Sequence, residues 1–341
     1  MRFSKGLMAM AAAVMLPFSS AAQAAEERLL CVFDILGSSG DVYNVMKDYA
    51  AAAQAQGYAL KLKAYTDENI AAEDLKANQC DMAAITGIRG KHFNTFTGSM
   101  DSIGSMPNYD VTRMVMQVLG SNNPKIKESL RGSSYEIMGV MPAGATYLFV
   151  KDHNMNTVNH LAGKSISVLE YDVTQARMAA SVGMTPVMSD ISNFAGRFNN
   201  HSVDICFAPA MAYAGLELYK GMEPNGGVVD YVLGQLSMQL IARNGRFGDE
   251  FGDWSRSYFG QTVLPRAMRL IEQFDAGIPE KWWIRISDPD RERYDEMMRD
   301  ARVEMTKEGL FNKEMMTLLR NIRCRVDGGR AECSDRREID W

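Results

Sequence analysis

Residues 163–209, GKSISVLEYDVTQARMAASVGMTPVMSDISNFAGRFNNHSVDICFAP, read as strand, helix, strand, helix, strand. Ser165–Glu170 is an apolar run with β-branched residues, and Val173–Val182 has helical spacing. Met184–Met188 is a short apolar strand carrying Pro186, and Ile191–Phe198 is a second helix. Asp204 then leads into Ile205–Ala208, closed by Pro209. Strands this apolar, interleaved with helices, belong to a mainly parallel α/β sheet covered on both faces. Ligands of such sheets lie beyond the carboxyl ends of the strands. Positions 168–172 and 206–210 are therefore where function is expected in this stretch.

The beginning of the chain repeats the grammar. Leu29–Leu36 is an apolar strand, Gly37-Ser38-Ser39-Gly40 a turn, and Asp41 or Ser39 a cap for the helix Val42–Gln54. Gly57 ends that helix, Tyr58–Tyr65 alternates as a strand, Asn69–Asn78 is a helix, and Asp81 leads into Met82–Thr86. In both stretches a helix runs into a short polar turn, an Asp, and a short apolar strand: Asn78-Gln79-Cys80-Asp81-Met82 and Asn200-His201-Ser202-Val203-Asp204-Ile205. Two such units suggest two lobes facing each other.

Between them, Met100–Leu119 reads as loop then helix, and Tyr135–Met141 and Ala145–Val150 as strands around Pro142-Ala143-Gly144. Beyond residue 209 strand and helix no longer alternate. Val228–Ala242 reads as extended segments recrossing to the first lobe. The expected helices there are Phe247–Phe259, Leu264–Phe274, a long charged one from Ser287/Asp288-Pro289 through Arg302, and Glu314–Arg323. No Pro/Ser-rich linker separates the halves, which favours lobes joined by crossing strands. The expected division is 1–24 as a signal peptide, 25–150 as lobe I, 151–230 as lobe II, and 231–341 as a return to lobe I.

Residues 1–24 carry the marks of export: basic Arg2 and Lys5, an apolar run Gly6–Leu16, and the small-x-small site Ala22-Gln23-Ala24. The run is short for a membrane span of about 20 residues. Losing Arg2 and Lys5 takes 37 Lys+Arg to 35 against 42 Asp+Glu, a formal charge of −7 for the mature chain. No long basic block remains, so nucleic acid is not an expected partner. An oxidising compartment permits disulfides among the five Cys. Cys324 and Cys333 flank Asp327-Gly328-Gly329 and are expected to close a short terminal hairpin, Cys31 and Cys80 at the starts of two strands are expected to pair as well, and Cys206 is left as a buried free thiol.

The usual catalytic signatures are missing. The four His (92, 153, 160, 201) have no His or Cys at ligand spacing, and there is no HExxH, CxxC, GxGxxG, phosphate-loop or GxSxG pattern. The expectation is a binding protein with no cofactor and no metal, not an enzyme. The methionines fall at helical spacing and read as core filler. Trp282-Trp283 beside Ile284 and Ile286 reads as a packed strand or domain seam. What remains is a set of residues after strands: Ser38, Ser39, Arg89 and Lys91 in the first half, Glu170, Tyr171 and Phe207–Ala210 in the second. The helix N-terminus beyond Ser38-Ser39 is also suited to an anionic or oxygen-rich ligand.

Four segments resemble the solute-binding proteins of TRAP transporters. His160–Val168 (HLAGKSISV) is similar to their "DLKGLKIRV" segment, Gln175–Val187 to their helix followed by small-Gly-x-x-Pro-Val, Val203-Asp204-Ile205 to their "G-x-V-D", and Glu73–Thr86 to the equivalent segment of their first lobe. Cys31–Gly37 resembles a branch whose members are often labelled as components of RND-type efflux pumps in aminoglycoside resistance. Such pumps need many membrane spans and their adaptors long coiled-coil hairpins, and the sequence carries neither. The resemblance implies a two-lobed periplasmic-binding-protein clamshell that captures a small solute and hands it to an inner-membrane permease. An envelope accessory protein without solute delivery is the alternative. In the TRAP family an Arg of the "KIRV" strand pairs with the substrate carboxylate, and an Asn precedes a later Pro. The matching positions here are Ser167 and Ala208. Serine cannot replace the bidentate, charge-assisted pair of an arginine. Either Arg89 or Arg177 supplies the charge, or the ligand is not a simple carboxylate.

Overall fold

The computed structural model describes residues 25–339. The signal-peptide expectation for 1–24 lies outside them. Ten strands form one mixed sheet: β1 (Glu26–Phe33), β2 (Tyr58–Tyr65), β3 (Met82–Thr86), β4 (Tyr135–Val150), β5 (Ser165–Leu169), β6 (Thr185–Ser189), β7 (Ile205–Pro209), β8 (Gly227–Val229), β9 (Gly234–Arg243) and β10 (Trp283–Ile284). The main order is β2-β1-β3-β9-β4-β7-β5-β6. Each end is a parallel three-strand unit, and the two have equivalent connectivity, with β2-β1-β3 matching β6-β5-β7. The antiparallel strands β9 and β4 cross between them. This is the two-lobed α/β architecture joined by crossing strands.

The repeated Asp has a physical role in each unit. Asn78 and His201 take left-handed backbone at the helix ends, with φ of 62° and 61°. The chain then turns so that Asp81 Oδ2 accepts from Leu29 N at 2.8 Å, and Asp204 Oδ2 from Ser165 N at 2.7 Å. Asp81 N and Asp204 N return bonds to the carbonyls of the same two residues. Each Asp therefore pins the third strand of its unit to the first, at Leu29 within β1 and at Ser165 where β5 starts. The sequence likeness of the halves is thus a likeness of strand registration.

Two expectations are corrected. Pro142-Ala143-Gly144 does not divide two strands, because β4 runs unbroken for 16 residues. The register slips between Pro142 and Gly144, and Gly144 takes φ +114° there, so a bulge absorbs the extra residue. The charged helix also continues past Arg302 to Lys307, since nothing stops it before Gly309 at φ +78°. Its N-terminus is capped by Ser287, whose Oγ accepts from Asp290 N.

This long helix touches both cores. Tyr294 and Met298 pack with Val168, Ile205 and Val229, while Ala301 and Met305 join the core built on β1, β3 and β9. Trp282 is buried with Tyr147 and Phe149, and Trp283 meets the Tyr147 ring edge-on at 5.1 Å, consistent with a seam.

Cys31 is bonded to Cys80, and Cys324 to Cys333, with Cα atoms 6.0 and 5.5 Å apart. Cys206 is buried and unbonded, and burial pushes its thiol pKa up. Labelling the denatured, unreduced protein is expected to find one thiol. A count of three or five would show that one or both bridges do not form.

Candidate functional site

The carboxyl ends of β3, β5 and β7 meet at the junction of the two parallel units, and two adjoining cavities lie there. The first, about 90 Å³, is bounded by Ile88 and Asp101–Ile103 from the first half, by Ile166–Val168, Gln175 and Phe207 from the second, and by Met297 of the long helix. The second, about 70 Å³, shares Ile88, Ser167, Gln175 and Phe207 and adds Thr86, Leu169, Ala208 and Pro209. One water needs about 10–15 Å³, so together they have room for a compact organic molecule. The walls are mostly apolar, with few polar groups, as small-molecule sites are built.

Those polar groups come from specific local structure. Ser167 points inward from β5 and shares a 2.6 Å hydrogen bond with Ser189 Oγ of β6. Gln175, in the first turn of the helix Val173–Ser181, accepts from Leu169 N at 3.0 Å and fixes the end of β5. Asp172 caps that helix by accepting from Thr174 N. Asp101 lies on the loop before the helix Tyr109–Leu119, and its Oδ2 accepts from Ser237 N and Ser237 Oγ, both at 3.1 Å. Asp101 Oδ1 and Thr146 Oγ1 are buried without a partner. Burial pushes the Asp101 carboxyl up to about 7; the Ser237 bonds oppose this and the charge of Asp172 adds to it.

Beside the cavities a charged contact crosses between the halves. Tyr171, just after β5, donates its hydroxyl to Glu68 Oε2 at 3.1 Å. Its ring lies under the Arg89 guanidinium, 3.5 Å from centroid to carbon. Glu68 is fully buried; it accepts from Thr86 N at 2.6 Å and lies 3.7 Å from Arg89 Nε. Burial raises its carboxyl above the usual range, against the hydrogen bonds of Thr86 and the charge of Arg89. Burial likewise raises the Tyr171 hydroxyl, so it stays protonated and donates.

The residues singled out in the sequence separate into three groups. Ser167, Phe207 and Ala208 line the cavities. Arg89 and Tyr171 form the contact between halves. Lys91 does not line a cavity; its Nζ sits 4.5 Å above the ring of Phe311, which does. Burial lowers the Lys91 pKa, with Asp172 opposing. Glu170 is exposed and lines neither cavity. Arg177 is exposed and paired with Glu308, so it supplies no charge to the cavities.

Ser38 and Ser39 are exposed in a short turn, and the helix behind them cannot receive an anion there. Asp34 already fills that position: its Oδ2 accepts from Val42 N at 2.9 Å and Tyr43 N at 3.2 Å. It also displaces Asp41 and Ser39 as the cap. Gly40 is required beside it, because a Cβ there would lie 1.8 Å from Asp34 Oδ1.

The residues that the sequence reading missed are Ile88, Asp101, Gln175, Met297 and Phe311. Met297 is one of the methionines read as core filler, yet it lines the first cavity. Of these, Gln175 alone lay in a segment that carried the family resemblance. Among the described residues there is no group of three or more His, Cys, Asp or Glu placed to hold a metal ion. Among them also, no helix is long and apolar enough to cross a membrane.

Comparison with known proteins places these features. The sequence model of the family described as "Solute-binding protein AdeT 1/2" matches residues 50–338. A protein of Acinetobacter baumannii described as "Probable solute-binding protein AdeT1" is 39% identical over 303 residues, covering 89% of this chain and 99% of the relative. A TRAP periplasmic solute-binding protein from Desulfovibrio salexigens, solved with orotic acid, superposes with a TM-score of 0.72 at 13% identity, over 88% of this chain and 99% of that one. Another from Ralstonia eutropha, solved with (S)-2-acetolactate, superposes with a TM-score of 0.70 at 12% identity, over 88% and 99%.

Proposed function

Because this chain belongs to the AdeT 1/2 family of solute-binding proteins, we propose that it captures a small solute between its lobes in the periplasm and delivers it to an inner-membrane permease. The observation that carries this reading is the pair of cavities where β3 of one parallel unit meets β5 and β7 of the other. A solute there touches both units at once. It binds the closed arrangement better than the open one and shifts the equilibrium between them. The chemistry is non-covalent throughout.

In this reading residues 25–150 and most of 231–341 form lobe I and residues 151–230 form lobe II. The segment 278–298 lies against lobe II, because Ile278, Trp282, Ile284, Tyr294 and Met298 pack in its cores. Ser167 and Ala208 contribute shape rather than charge, and Phe207 supplies an apolar wall to both cavities.

Mass action gives the test. A solute at 100 times its Kd stabilises the folded protein by about 2.7 kcal/mol. A thermal-shift screen over metabolites is expected to find at least one compound that raises Tm in a concentration-dependent way and compacts the protein in solution scattering. Native mass spectrometry of freshly purified protein is expected to show a carried small molecule. A flat screen, with neither compaction nor a carried molecule, would refute the reading.

A further inference from the structure

The cavities at the lobe junction carry a charge pattern suited to a cation. Among the described residues lining them there is no Lys, Arg or His; the acids are Asp101 and Asp172. Asp172 is a half-exposed helix cap, with Thr174 N and Oγ1 donating to its Oδ1. Asp101 has spent only one oxygen. Oδ2 takes both Ser237 donors, and Oδ1 is buried with no partner. The approach of this carboxylate is built into the backbone. A Cβ on Gly87 would lie 2.3 Å from Asp101 Oδ2 and 2.3 Å from Ser237 Oγ, so the chain keeps a glycine there.

The cations near the site are engaged elsewhere. Arg89 stacks on Tyr171 and faces Glu68. Arg302 is held by Glu338 and the carbonyl of Ile103. Lys91 sits over Phe311. An organic acid entering the cavities meets two carboxyl groups and no guanidinium, whereas a buried carboxylate oxygen without a donor gains most from a charged N–H.

We propose that the solute is an organic amine, with one ammonium group seated on Asp101 Oδ1 and a compact apolar body against Ile166, Phe207 and Phe311. This rests on the solute-binding reading and names its ligand class. The apolar walls disfavour polyhydroxylated and polycationic molecules. An ammonium beside Asp101 reverses the effect of burial on the carboxyl, so binding the amine releases a proton where Asp101 is protonated. Amine affinity therefore rises as pH climbs through 7, where an aliphatic amine is still charged.

The experiment is calorimetric titration of the mature chain with phenethylamine and cyclohexylamine, against the matched acids hydrocinnamate and cyclohexanecarboxylate. The amines are expected to bind and the acids not, with amine affinity about tenfold weaker at pH 6 than at pH 8. Asp101→Asn keeps an acceptor for Ser237 and removes the charge; it is expected to weaken amine binding on the order of 100-fold. Should that variant not fold, the pH profile of the unaltered protein decides by itself. Preferential binding of the acids, an amine affinity independent of pH, or full amine affinity in Asp101→Asn would overturn the assignment. If an acid binds or is carried through purification, solute binding stands and the amine falls. If neither class binds and nothing is carried, both fall.

Discussion

Glu338→Gln is expected to lower the free energy of unfolding by about 3–5 kcal/mol, read as a reduced urea midpoint with an unchanged slope. Glu338 is fully buried between two arginines that are themselves almost wholly buried, Arg302 and Arg323. Arg302 Nη2 reaches its Oε1 at 2.9 Å and Arg323 Nη2 its Oε2 at 2.6 Å. Neutralising the shared carboxylate leaves two guanidinium groups in a low-dielectric site with too little counter-charge. Burial and the proximity of Arg302 already lower the Arg323 pKa to about 10, while Glu338 and Glu332 oppose the drop. Glu217→Gln, which removes a surface partner of Lys220, should leave the midpoint unchanged. Replacing the buried group together (Arg302→Met, Arg323→Met, Glu338→Leu) should cost less than the single change, because no guanidinium is stranded and Glu332, which loses Arg323, keeps Arg330. Equal losses in the single and triple variants would sink this account.

The same network holds the candidate site. Arg302 Nη1 donates to the Ile103 carbonyl and Arg323 Nη1 to that of Ser105, so the loop carrying Asp101 is tied to the chain's last turns. The Cys324–Cys333 bridge fastens Glu332 beside Arg323 and Arg330. Burial alone would raise the Glu332 carboxyl, but the hydrogen bond from Arg330 and the charges of Arg330 and Arg323 outweigh it and bring it to about 2. A carboxyl lowered on folding stabilises the protein above its unfolded pKa near 4.5 and loses that contribution as pH falls toward 2. Acid should therefore loosen the tail, and with it the loop that shapes the cavity.

The halves were legible in the sequence because their punctuation is local. Asn78 to Asp81 and His201 to Asp204 are short turns whose hydrogen bonds close within the unit that the periodicity already defines. The bounds of β4 were not legible, because Pro142 and Gly144 signal a break when considered alone. The break becomes a bulge only because β9 continues on the other side. The site divides along the same line. Ser167, Phe207 and Ala208 sit on strands that short apolar runs already mark, and they line the cavities. Arg177 meets Glu308 across 131 residues, and Asp101 meets Ser237 across 136. No local pattern reports such partners. Asp34 is the instructive case. An acid inside the apolar run Cys31–Leu36 was the available sign that the following helix already had its anion.

Tyr171→Ala is expected to shift the closed-to-open ratio toward open by roughly 300-fold and to weaken solute binding with it. The tyrosine makes two contacts from lobe II to lobe I. Its ring under Arg89 is a desolvated cation–π pair worth about 2 kcal/mol, and its hydroxyl bond to Glu68 is a charge-assisted contact worth about 1.5 kcal/mol. Both are lost if the lobes part, and neither lies among the residues lining the cavities. Their removal should reduce affinity without changing which solutes bind. Arg89 keeps Asn69 and Glu68, and Glu68 keeps Thr86 N, so lobe I should stay folded. Tyr171→Phe keeps the ring and loses the hydroxyl, and should fall between, at about tenfold. Solution scattering of the solute-free variants reads compactness, and calorimetry reads affinity. A Tyr171→Ala protein as compact and as tight-binding as the parent would show that closure is set by the solute and the crossing strands alone. A change in the rank order of solutes would instead place Tyr171 in the ligand's own contacts.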